Sequence, residues 1–75
     1  MELISVDPNL PDHMQRVVVE HNELVKKQQD LKKFIEGSEI YKSLPVAEQG
    51  RLVRQHALMS EYALVLNERI IACYE

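Results

Sequence analysis

Cysteine occurs once in this chain, glycine twice, phenylalanine once and tryptophan not at all. Each shortage excludes something. The lone Cys73 cannot close an internal disulfide, and without a cysteine pair at metal-ligand spacing the expected setting is a reducing compartment. Gly37 and Gly50 stand isolated, so there is no glycine-rich phosphate loop, and no serine, histidine and acid fall at the spacing of a nucleophilic set. An enzyme is therefore not expected. His13, His21 and His56 lack a second ligand-type residue one helical turn away, so neither a metal nor another cofactor is expected. No apolar run approaches the roughly 20 residues that cross a bilayer, and the opening "MELISVDPNLPDH" has neither the basic start nor the apolar centre of an export signal. The formal charge of −3 argues against long polyanions, so any anion site has to be a local cluster.

What the chain does have is helical rhythm. Steps of three and four run through Met14, Val17, His21, Leu24, Gln28, Leu31 and Ile35, and again through Leu52, His56, Met59, Ala63, Leu66, Ile70 and Cys73. Such spacing belongs to helices packed side by side. Pro8 and Pro11 keep residues 1–11 an irregular arm, and Asp12 is placed to N-cap the first helix with Gln15 completing a box-like arrangement. Gly37 suits a left-handed helix end, Ser38 can cap a short turn over "SEIYKSL", and Pro45 suits the first turn of a second long helix. At 1.5 Å per residue each long helix measures about 40 Å. The predicted class is all-α: an antiparallel hairpin of two long helices with a short helical connection, occupying residues 12–75 as one domain.

Two polar members of the first seam, His21 and Gln28, stand where apolar knobs are usual. They read as register-setting groups of an oligomer interface rather than metal ligands, and Cys73 reads as a small buried apolar residue. Leu58, Tyr62 and Val65 lie off the seam, so the second helix is apolar around most of its circumference over residues 57–66. A helix apolar all round is normally buried all round, which one partner helix cannot achieve. A helical homo-oligomer with Leu58, Tyr62 and Val65 at its interface follows. Lys26, Lys27, Lys32 and Lys33 alternate with Glu23, Asp30 and Glu36, a pattern that fits either a solvated face or, at an interface between chains, a small phosphorylated ligand.

The blocks "QRVVVEHNELVKK", "LKKFI", "SLPVAEQGRLVRQ" and "MSEYALVLNERI", in that order over residues 11–71, resemble the phage anti-CBASS sponges, a family of small proteins that inhibit a bacterial immune system. The resemblance implies helical hairpins assembled into hexamers in the cytoplasm of the infected host. It implies binding of cyclic dinucleotides such as cGAMP between protomers, and in some members of cyclic trinucleotides at a separate site, without cleavage. On the matching segments Lys27 would meet phosphate with Lys26 beside it, His13 would supply a ring for a base, Arg16 would assist, and Arg69 would serve the trinucleotide site. Neither polymeric nucleic acid nor a membrane is an implied partner. The alternative is a coiled-coil adaptor with no small-molecule ligand, whose lysines only solvate it.

Overall fold

The structure is a computed structural model that describes residues 2–75. Two long helices, α1 (Asp12–Gly37) and α3 (Val46–Ala72), lie side by side, joined by the single-turn α2 (Glu39–Ser43), and the described residues contain no strand. The molecule is a rod of 47 × 16 × 16 Å.

Each long helix starts by the same device. Pro11 and Pro45 are N-caps at φ −54° and −55°, neither with a side-chain cap, and each carbonyl accepts from the amides three and four residues on. Gln15 then reaches back from α1 to the carbonyls of Pro8 (3.3 Å) and Leu10 (2.8 Å), and Gln49 reaches back from α3 to those of Tyr41 and Leu44 (both 3.1 Å). Asp12 is thus the first helical residue and not the N-cap: proline's fixed φ already sets the entry, and Gln15 serves the incoming chain rather than the cap. Gly37 also differs from expectation. No described residue has positive φ; Gly37 is the last helical residue, and extended Ser38 turns the chain, its amide on the Phe34 carbonyl and its hydroxyl accepting from Ile40. At this end the rings of Phe34 and Tyr41 meet edge to face at 6.0 Å.

The core is concentrated at the other end of the rod. Met14, Val17 and Val18 of α1 pack with Leu66 and Ile70 of α3, and Leu10 closes the cluster from the arm. Val25 and Ala63 are likewise fully buried. Further along, the seam becomes polar: the Gln28 amide donates to Ser60 Oγ (2.8 Å) and lies 3.3 Å from His56 Nε2, while the Ser60 hydroxyl donates to the His56 carbonyl (3.0 Å). Mutual pairing removes the cost of placing these groups between helices. Cys73 is exposed as the C-cap of α3, not buried, because the regular turns stop at Ala72 and the residue leaves the seam.

The N-terminal arm is irregular but attached. Ile4 packs against the core cluster, and the Asn22 side chain accepts from its amide (2.9 Å) and donates to its carbonyl (2.7 Å). That double contact fixes the orientation of the Asn22 amide, so Asn22 Oδ1 faces His21 Nδ1 at 3.0 Å and the histidine must carry its proton there. Asp7 accepts from the Asn9 amide (2.8 Å) and from the Tyr74 hydroxyl (2.9 Å), which ties the arm to the end of the chain. The Asn9 amide and then the Tyr74 hydroxyl hold the Asp7 carboxyl below its ordinary 3.8, and Asp7 in turn pushes Tyr74 above 10.0.

Two predictions follow from this packing. Leu66→Ala should lower the unfolding free energy by about 2 to 5 kcal/mol, since Leu66 is 1% exposed. Gly50→Ala should raise it by up to about 1 kcal/mol, because a Cβ there meets nothing within 4 Å and a helix-interior glycine is costly; urea denaturation at one fixed chain concentration reads both. The Asp7 to Tyr74 tie should vanish at both pH extremes. The lowered carboxyl contributes above 3.8 and is lost as pH falls through its folded value, whereas the raised phenol contributes below 10.0 and is lost as pH rises through its own. Amide exchange of Asn9 in wild type and Tyr74→Phe should differ at neutral pH and converge in acid.

Candidate functional site

The residues expected at the cyclic-dinucleotide site lie along α1, and all of His13, Arg16, Lys26 and Lys27 are exposed, as is Arg69 on α3. A helix turns by about 100° per residue, so positions seven apart share a line. His13, Glu20 and Lys27 form one such line, and the Tyr62 hydroxyl donates to the Glu20 carboxylate, which fixes the line on the flank of the hairpin that carries Tyr62. Arg16 is 60° from the line; Lys26, about 100° away from Lys27, lies on another with Lys33. Within one chain His13 and Lys27 are about 21 Å apart along the helix, so the single hairpin does not bring them together.

The same flank of α3 carries a stripe longer than its apolar members Leu58, Tyr62 and Val65. Arg51, Gln55, Leu58, Tyr62, Val65 and Arg69 follow at steps of four and three, a second heptad line parallel to the buried one. Its apolar members are open in the single chain: Leu58 is 58% exposed, Tyr62 47% and Val65 48%. Arg51, Arg54, Gln55, Leu58, Met59 and Tyr62 line a shallow groove there. A second groove, of Val6, Asp12, Gln15, Arg16 and Val19, forms where the arm lies beside the first turns of α1. The signal for the full stripe lies in Arg51 and Arg69, which extend the three-and-four spacing of Leu58, Tyr62 and Val65 at both ends.

His21 departs from the expected interface, and Gln28 is engaged within its own chain. His21 is completely buried inside the single chain, with no surface left for a second protomer, and Gln28 is half-buried and engaged with His56 and Ser60 of its own α3. Their heptad positions belong to the hairpin seam. Register is set here within the chain.

Electrostatically the surface is loose. The ion pairs Lys32 to Glu36 (4.0 Å), Lys42 to Glu39 (3.1 Å) and Arg51 to Glu48 (2.7 Å) are all local and exposed, the kind that adds little to stability. Lys27, Arg54 and Arg69 form no ion pair among the described residues, so their charge is available to an anion. Among those residues no group of three or more His, Cys, Asp or Glu could hold a metal ion, and no helix is long and apolar enough to cross a membrane.

A sequence model of one family, described as Sequestin, matches residues 11–72. The chain belongs to the Sequestin family. The match spans both long helices and their connection, and leaves out the arm through residue 10 and the end that holds Tyr74. The family name describes a protein that holds its target by sequestration, a non-catalytic role. No curated protein and no solved structure gives a significant match. The resemblance to the sponge family noted from the four sequence blocks agrees with this membership.

Proposed function

We propose that the chain is a phage immune-evasion protein that assembles from hairpins in the host cytoplasm and sequesters cyclic oligonucleotide messengers of the CBASS defence without cleaving them. The observation that carries this is the Sequestin match over residues 11–72. The geometry supports it: His13 and Lys27 lie on one line of α1, on the flank that also presents Leu58, Tyr62 and Val65. When two such flanks meet, the ring from one chain and the ammonium from another can stand around one ligand.

A cyclic dinucleotide carries two phosphates and two bases, and its near-twofold symmetry matches that of an isologous interface. Lys27 meets phosphate, His13 offers a stacking surface, and Arg16 stands beside them. Each charge-assisted contact contributes roughly 1.5 to 3 kcal/mol and each stacked base about 1 to 3, enough for tight binding after ordering costs. Lys26 faces another side of α1 and is the weaker candidate. Arg69, exposed and without an ion pair, is the group left for a cyclic trinucleotide. Six copies, the number the resemblance implies, would repeat these sites.

A second reading, an adaptor that only assembles, draws on the exposed Leu58, Tyr62 and Val65 taken alone. Calorimetric titration separates the two. Lys27→Ala should weaken cyclic-dinucleotide binding at least about tenfold, or 1.4 kcal/mol, while Lys33→Ala should leave it unchanged. Ligand recovered after heat denaturation should be intact; equal affinities in both variants would favour the adaptor, and linear products would refute sequestration without cleavage. The assembly itself is checked by light scattering, which should give a multiple of the 8.7 kDa chain mass for wild type and a lower mass for Leu58→Asp, since an unpaired buried charge costs several kcal/mol. A folded wild-type monomer would contradict it.

A further inference from the structure

The exposed stripe of α3 has a symmetry of its own. Arg51 and Arg69 are equidistant in sequence from Ser60, as are Gln55 and Val65, and Leu58 and Tyr62. An arginine thus closes each end, and apolar groups fill the centre. From this we infer that α3 packs on α3 of a second copy in antiparallel register, about a twofold axis level with Ser60, so that Leu58 meets the partner's Tyr62, Gln55 meets the partner's Val65, and Arg69 reaches the partner's Glu48 and Arg51. This rests on the self-association part of the proposed function and names the pairing that produces it.

Three observations select this register. The steps of the line, four and three in alternation, are the same from either end, so a copy turned about an axis at Ser60 sets stripe positions face to face in antiparallel order. Size comes next. Antiparallel order sets each tyrosine ring against a leucine, which fills the gap between helices evenly; parallel order stacks ring on ring at one level and glutamine on glutamine at another. Charge decides between them. Glu48 Oε1 accepts from Arg51 Nε at 2.7 Å, while Arg69 has no ion pair among the described residues. Antiparallel order gives each end two guanidiniums around one carboxylate. Parallel order crowds Arg69 against the partner's Arg69, with no carboxylate of the stripe between them, and puts both Glu48 groups at the opposite end.

The arrangement also accounts for the Tyr62 contact. Its hydroxyl donates to Glu20, which ties the ring across the boundary between α1 and α3 while Tyr62 stays 47% exposed. In this pairing the exposed part of the ring is what the partner's Leu58 covers. Each end, with two guanidiniums to one carboxylate, keeps a net positive charge beside donors that a phosphate can use.

Disulfide trapping in a Cys73→Ser background tests the register without any ligand. Gln55→Cys chains mixed with Val65→Cys chains should form a mixed disulfide on mild oxidation, and neither variant alone should cross-link, because like positions then lie about 15 Å apart along the axis, beyond disulfide reach. A charge exchange checks the same contact independently. Val65→Asp should reduce assembly mass, and adding Gln55→Lys to the same chain should restore it, because each new charge then faces its opposite across the axis. Homodisulfides in the single variants, or no rescue by the second substitution, would overturn the antiparallel register while leaving self-assembly and ligand binding standing. A wild-type chain that stays monomeric would overturn both the register and the assembly on which it rests.

Discussion

Two helices packed as a hairpin can bury one stripe each, and α3 carries apolar groups on more than one. That limit governs the rest of the structure. Leu66 and Ile70 are buried against Met14, Val17 and Val18, Ala63 on the same stripe is buried too, and the arm adds Leu10 and Ile4 where two helices alone would leave the core open. The stripe of Leu58, Tyr62 and Val65 has no such cover within the chain. A chain this short has little surplus stability from its own core, so a second apolar stripe at the surface is a strong inducement to associate.

The polar layer across the middle of the hairpin acts in the opposite sense, toward specificity. Gln28, His56 and Ser60 satisfy one another only when α1 and α3 stand in the observed register. Shifting one helix by a turn would bury their polar atoms without partners, at a cost of about 1 to 3 kcal/mol each. His21 does a similar service for the arm: its Nδ1 proton goes to Asn22, whose amide pairs with both backbone groups of Ile4. Positions that read from their spacing as gaps in an apolar seam are thus the groups that fix the geometry of that seam.

Much of the fold was legible in the sequence because periodicity reports on it directly. The two seams as far as Ile70, the division at Gly37 and Pro45 and the helical turn capped by Ser38 stand where the sequence pattern puts them, although Gly37 ends α1 without a left-handed turn and Cys73 leaves the seam. The arm's attachment was not legible: "ELISVDPNL" has no repeating pattern, and it is held by single side chains, nearby Gln15 and the more distant Asn22 and Tyr74. Heptad spacing also identifies a seam without saying whose seam it is, so it does not tell an interface between chains from the hairpin seam that holds His21 and Gln28. The candidate site was legible only through resemblance. Lysines interleaved with acids look the same on a solvated face and at an anion site, and the Glu20 contact with Tyr62 adds that the line of Lys27, not that of Lys26, runs on the Tyr62 flank.

Sequestration by an assembly differs from binding by a surface patch in one respect: the ligand is held by more than one chain. Native mass spectrometry of the protein with a cyclic dinucleotide measures this directly. The expected spectrum shows a multi-chain species carrying a whole number of ligands, each of unaltered mass, and no ligand on single chains. Ligand bound to monomers, or assemblies that stay empty at saturating cyclic dinucleotide, would contradict sequestration at an interface between hairpins.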